Sequence, residues 1–271
     1  MNRRDALLGS SAALTVPAAR YASILTFHAL EDAADPICFA PGIFRRGLDR
    51  LIGSGFRACP LEELAAYASG DGCFPARSFA VTFDDGYQSV YREALPVLQE
   101  LCIPATVFLA VGRPSPSDSA TRLPVLSGRT MLNWGQIREM HRAGISFGAH
   151  TLTHPDLTRL SSTDAEAEIR DSQAMLEDAL GTRVRTFAYP YGRFDSQSRE
   201  IVRRNFDLAC SDRLGLVSAG CDVYALCRVD TYYLRSDRLF ATLLTPFFPE
   251  YVAARAVPRR LRRALAAHLE R

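Results

Sequence analysis

The chain has 271 residues, a length that one large α/β barrel fills without splitting into separate domains. A formal net charge of +2 and an ordinary aromatic content give neither a basic nucleic-acid footprint nor an acidic disordered tail, so nucleic acid is excluded as a partner. All 32 basic residues are arginine, which rules out lysine Schiff-base chemistry and a Walker-type phosphate loop, and the seven cysteines form no CxxC pair for a thiolate metal site.

Residues 1–20 carry Arg3-Arg4, an apolar stretch from Ala6 to Val16 and then Pro17-Ala18-Ala19, which resembles a short twin-arginine export signal. A signal implies a periplasmic or cell-envelope location, and a flexible N-terminus without one implies a cytoplasmic protein. The stretch is too short to span a membrane.

From 21 to 250, short β-rich runs alternate with longer amphipathic ones, the pattern of parallel strands joined by crossover helices. Strands are predicted at Ser23 to His28, Gly55 to Cys59, Phe79 to Asp84, Ala105 to Ala110, Ile145 to His150, Thr186 to Pro190, Asp207 to Ser211 and Leu226 to Tyr232. Helical spacing appears over Ser89 to Leu101, Asn133 to Ala143, Thr163 to Leu180 and Ser196 to Arg204. The expected fold is α/β, a distorted (β/α) TIM-like barrel with seven or eight parallel strands. Gly112 to Arg129, with three prolines, reads as a long loop over one face. Residues 251–271 form a basic amphipathic helix with Leu261, Leu265 and Leu269 at helical spacing. A solvated docking role is expected for it, with membrane-surface contact as the alternative.

Polar residues fall at the strand ends: His28, Asp84-Asp85, His150 and Tyr189-Pro190-Tyr191. In a parallel barrel these ends converge on one face, where such folds place their chemistry. In Thr82-Phe83-Asp84-Asp85-Gly86, successive strand residues point oppositely, but a bend at the strand terminus brings both acids to one pocket. One carboxylate then serves as metal ligand and the other as proton acceptor. His150 and His154, four apart, meet on one side of a turn, and neutral imidazole is a preferred zinc ligand. This is not the HExxH of metalloproteases, since Thr151 stands at the Glu position. Phe187 to Gly192 reads on its own as packing and turn chemistry.

The three segments, in this order, resemble the polysaccharide deacetylases with the NodB homology domain, carbohydrate esterase family 4, over roughly His28 to Arg228. The resemblance implies that Asp84 is the catalytic base and that Asp85, His150 and His154 hold a divalent metal, zinc first, with cobalt or nickel as alternatives. It also implies that Tyr189, Pro190, Tyr191 and Gly192 wall the substrate groove, with the Tyr191 N–H facing the oxyanion. Many members carry an Arg where this chain has Ala188, and a Leu-x-His near the C-terminus that supplies the general acid; here Leu226 is followed by Cys227-Arg228. The subgroup resembling biofilm poly-N-acetylglucosamine deacetylases points instead to His28 as the acid, with a buried core histidine as the competing reading. Arg228 is expected beside the substrate. The implied substrate is an N-acetylated glycan, from which acetate is released.

Other classes stay open at this point. Gly144-Ile145-Ser146-Phe147-Gly148 fits the GxSxG pattern of serine hydrolases, but it opens a strand instead of joining a strand to a helix. Glycosidases need two acids separated by about 5 Å or more across the bond, unlike adjacent aspartates. A small-molecule amidase on the same scaffold and a glycan-binding domain without catalysis share every motif named above.

Overall fold

β1 (Tyr21–Phe27) and β2 (Ser78–Phe83) are buried along almost their whole length, the signature of parallel strands covered on both faces. They belong to a computed structural model that describes residues 20–70, 74–112 and 123–269, the side chains of 260 and 262–269 excepted. The export signal expected over 1–20, most of the long loop and the side chains of Leu265 and Leu269 lie outside the described residues.

Five more parallel strands follow: β3 (Ala105–Leu109), β4 (Ser146–Ala149), β5 (Thr186–Ala188), β6 (Leu208–Leu214) and β7 (Leu226–Asp230). Each pairs with the next, and β1 closes the ring by pairing with β2 from Ser23↔Phe79 to Phe27↔Phe83 and with β7 at Leu25↔Val229. The fold is therefore a closed α/β TIM-like barrel of seven parallel strands. The eighth candidate, Gly55 to Cys59, forms only two strand residues, Arg57–Ala58, against the start of β2, because Pro60 diverts the chain into a helix at Leu61.

In every barrel strand the even-numbered residues point inward, as a period of two requires. Ala22, Ile24, Ala80, Phe108, Ala188, Cys210 and Leu226 share one inner cluster, and Thr26 Oγ1 lies 3.1 Å from Thr82 Oγ1 on the adjacent strand. A seven-stranded lumen is narrow, so the Phe108 ring is accommodated by small neighbours. A Cβ on Gly148 would stand 2.5 Å from that ring. Helices cover the outside: Trp134–Arg142 opens on a capping box from Asn133 and Gln136, Ser162–Leu180 on the Ser161 hydroxyl, and Ser196–Asn205 on Asp195. Two helices that sequence periodicity did not single out, Pro41–Gly53 and Leu61–Ser69, complete the layer. The second buries Leu61, Leu64, Ala65 and Ala68 against the inner cluster at the strand starts.

The helix predicted over Ser89 to Leu101 begins with a wide π turn at Val90–Ala94, where the Leu95 N–H bonds the Val90 carbonyl. Pro96, lacking an N–H and crowding the preceding turn, accounts for the widening. The last helix, Phe248–Leu269, starts slightly before residue 251 and docks through Phe248, Val252 and Ala256. No described helix is long and apolar enough to cross a membrane.

Candidate active site

Continuing the even-numbered register beyond the apolar layer brings His28, Asp84, His150, Asp212, Arg228 and Asp230 to one cavity at the C-terminal ends of the strands. Asp85 is odd-numbered and would point outward from a regular strand. It joins the cavity because its backbone turns at φ 74°, and Gly86 follows at φ 89° with no room for a Cβ between Leu109 and Leu123. His154 (φ 58°), Thr151 (φ 70°) and Tyr191 (φ 56°) are also left-handed. Such strain persists only where surrounding structure holds it, and here it gathers around one group of side chains.

Asp85, His150 and His154 offer three ligand atoms to one point. The two Nε2 atoms lie 3.2 Å apart, and Asp85 Oδ1 lies 3.5 Å from His150 Nε2 and 3.3 Å from His154 Nε2. Tetrahedral ligands bonded at about 2.0–2.1 Å stand about 3.3–3.4 Å from one another, so these spacings fit a metal of that size. His150 Nδ1 lies 2.6 Å from the Ala188 carbonyl, which accepts its proton and leaves Nε2 as the lone-pair nitrogen. Burial disfavours charge on both imidazoles. His150 is nevertheless held above its ordinary value by Asp85 and Asp84, while burial and the neighbouring His150 push His154 down to about 4. One proton between two facing nitrogens is what a divalent cation would replace. Against burial, the same histidines hold Asp85 far below the usual carboxylate range. Among the described residues this is the group of His, Cys, Asp and Glu arranged to hold a metal ion.

The ligand turn is fixed from behind by Glu168, buried on the helix Ser162–Leu180. Its Oε2 accepts from the N–H of Leu152 at 2.9 Å and of Thr153 at 2.8 Å, and its Oε1 accepts from the Thr153 hydroxyl at 2.8 Å. No motif marks Glu168 in the sequence; only an acid on the inner face of an amphipathic helix hinted at it.

Arg228, expected beside the substrate, lines the cavity and is held there by Asp84. Its Nη1 and Nη2 each donate at 2.7 Å to one carboxylate oxygen, and its Nε donates to the Ser211 carbonyl at 2.9 Å. Both partners are buried, so neither charge is tolerable without the other. Burial would raise the Asp84 carboxyl, but the Arg228 guanidinium outweighs it and holds Asp84 ionised, below the usual range.

The Tyr189-Pro190-Tyr191-Gly192 segment ends in a short 3-10 turn, Pro190–Gly192, and Tyr189, Tyr191 and Gly192 line the cavity. Tyr189 is fully buried, stacked on Phe194, and its hydroxyl donates to the Tyr224 carbonyl at 3.1 Å, so it lines the cavity as a firmly packed wall residue. Pro190 is buried within the turn. Tyr191 is exposed on the rim with its ring against His154 at 4.7 Å, and Gly192 at φ 59° sits so close to Asp212 that a Cβ would fall 2.1 Å from its Oδ1. His28 lines the cavity at the end of β1. Ser146, by contrast, is the first residue of β4, at the opposite end of the strand from His150.

Strand ends of a closed parallel barrel that gather an Asp-Asp pair, two histidines and a buried arginine define an active-site face of hydrolase type. Residues 71–205 match the family described as Polysaccharide deacetylase, and the chain belongs to that family. The poly-beta-1,6-N-acetyl-D-glucosamine N-deacetylase of Staphylococcus aureus is 27% identical over 153 residues, covering 53% of this chain and 50% of that protein. The chain therefore spans about half the length of that relative. Among solved structures, the Streptococcus pyogenes deacetylase PplD in complex with acetate superposes with a TM-score of 0.71 at 26% identity, covering 83% of this chain and 99% of that one. IcaB from Ammonifex degensii superposes with a TM-score of 0.69 at 27% identity, covering 85% of this chain and 100% of that one.

Proposed function

We propose that the protein removes N-acetyl groups from an N-acetylated glycan, releasing acetate and leaving a free amino sugar, with a divalent ion, zinc first, held by Asp85, His150 and His154. The observation that carries this reading is the ionised Asp84, clamped by Arg228 immediately beside the three ligand side chains. A bound ion there would lower the pKa of a coordinated water from about 16 toward 7 and polarise the amide carbonyl.

The chain's own residues supply the remaining steps. Asp84 accepts the proton of the water that attacks the carbonyl carbon, and Arg228 keeps the carboxylate ionised and fixed in direction. The Tyr191 N–H, presented by its left-handed turn, stabilises the oxyanion of the tetrahedral intermediate. When the C–N bond breaks, the departing amine takes a proton from His28. Burial of the ligands and of Asp84 keeps these groups in a low-dielectric setting where each charge counts for more than in water.

Acetate release from N-acetylglucosamine oligomers by purified protein, metal-loaded and chelator-treated, tests the proposal. Release that stops with the chelator and returns with added zinc is the expected result. Release that ignores the chelator would remove the metal from the scheme, and no release from any N-acetylated glycan would remove the deacetylase reading.

A further inference from the structure

The cavity extends beyond the groups that the reaction needs. Its volume is about 440 Å³, within the range of roughly 300–1,000 Å³ that encloses whole small ligands, and one N-acetyl group fills little of it. Part of its wall is built from Asp212, Asp230, Tyr232 and Arg259, none of which has a place in the chemistry above and all of which lie outside the 71–205 family match.

Arg259 comes from the last helix, Phe248–Leu269, and reaches back over the strand ends. Its Nη1 donates to Asp230 Oδ2 at 2.9 Å and its Nη2 to Asp212 Oδ2 at 3.0 Å. The three side chains keep 22%, 31% and 21% of their surface open, so they are fixed but not sealed from the cavity. Next to them the Tyr232 N–H bonds Asp230 Oδ1 at 3.0 Å. The Tyr232 ring is 47% exposed and carries the Arg235 guanidinium on one face, 4.6 Å from its centroid. A rigid aromatic face beside fixed donors and acceptors suits a pyranose, whose C–H face is apolar and whose rim is hydroxylated. Two carboxylates against the guanidiniums of Arg259 and Arg235 leave the cluster without net charge, which suits an uncharged sugar unit.

We propose that Tyr232, Asp230 and Arg259 form a saccharide subsite for an uncharged sugar unit adjoining the one that carries the reacting N-acetyl group. The last helix thereby gives the protein a preference for longer chains. The inference rests on the deacetylase reading for its substrate class, and its residues touch no reacting atom.

The test compares N-acetylglucosamine dimer and pentamer as substrates of the full-length, zinc-loaded protein, for wild type, Tyr232→Ala, Tyr232→Phe and Arg259→Ala. The pentamer-to-dimer ratio of kcat/KM is expected to fall about tenfold in Tyr232→Ala and Arg259→Ala, mainly through KM, and to recover in Tyr232→Phe, which keeps the ring. A ratio that stays at the wild-type value, with both substrates losing activity equally or neither losing any, overturns the subsite. Calorimetric binding of the same two oligomers keeps the outcome separate from catalysis. Wild type that binds pentamer more tightly than dimer without releasing acetate, with the difference lost in Tyr232→Ala, would overturn the deacetylase reading and support the subsite. Equal affinity for both lengths in wild type would overturn the subsite.

Discussion

Arg228 and Asp84, 144 residues apart in sequence, face each other in a fork of two 2.7 Å hydrogen bonds inside the barrel. The pair couples stability to activity in a way that separates its two members. Arg228→Met leaves a buried carboxylate without a partner, and a loss of roughly 3–5 kcal/mol is expected in urea denaturation. Asp84→Asn combined with Arg228→Met removes both charges and is expected to recover most of that loss while still lacking the base. Acetate release should stay depressed by about 10²–10⁴-fold in the double variant. Full turnover in Asp84→Asn would show that the base is another group.

Glu168 acts on the metal ligands through the backbone of the turn between them. Glu168→Ala frees the Leu152 and Thr153 amides and lets His154, at φ 58°, relax away from His150. Outer-shell partners of metal ligands commonly contribute 10–100-fold in affinity, and a loss in that range is expected for zinc measured against a competing chelator. The direct ligand variant His154→Ala should lose more. Zinc affinity unchanged in Glu168→Ala would reduce Glu168 to a helix-to-loop tie.

Much of the site was legible in the sequence because it follows the strand period. His28, Asp84 and His150 end apolar runs, and a parallel barrel has to bring such ends together. The parts that escaped are those supplied by tertiary pairing. Nothing around Arg228 marks it as the partner of Asp84, since the pairing depends on β7 and β2 flanking β1 in the closed barrel. Tyr189 and Tyr191 both line the cavity as the motif suggests, but the sequence does not show that Tyr189 is also locked against Phe194 while Tyr191 is exposed on the rim. The helices Pro41–Gly53 and Leu61–Ser69 were missed because tertiary packing, more than a long repeat, stabilises such short segments.

The GxSxG segment gives a paired prediction. Gly148 is a packing position: a methyl there would meet the Phe108 ring and the Thr186 hydroxyl at 2.5 Å. Overfilling a close-packed lumen costs about 1–3 kcal/mol, so Gly148→Ala should lower the unfolding free energy in urea denaturation by that much. Ser146 stands at the far end of the strand from the cavity, and Ser146→Ala is expected to release acetate at the wild-type rate. A serine-directed phosphonate that inactivates wild type and spares Ser146→Ala would reverse the assignment.

The acid role proposed for His28 concerns how the amine leaves. The residue occupies the inward register of β1, lines the cavity with Asp84 and Asp85, and makes no side-chain hydrogen bond to a described residue, so its ring is free to face a substrate. His28 is not among the three side chains placed to hold a metal ion, so zinc binding is expected not to depend on it. His28→Ala is therefore expected to bind zinc like wild type while kcat falls by about 10²–10⁴-fold, the usual contribution of a positioned acid. His28→Gln, which keeps a hydrogen-bond donor but cannot deliver a proton, should stay as slow. The leaving group sharpens the result: an acetate ester of a sugar hydroxyl leaves without full protonation, so the variants should lose far less on an O-acetylated analogue than on the N-acetylated one. An equal loss on both would mean that His28 shapes the cavity and that the proton comes from elsewhere.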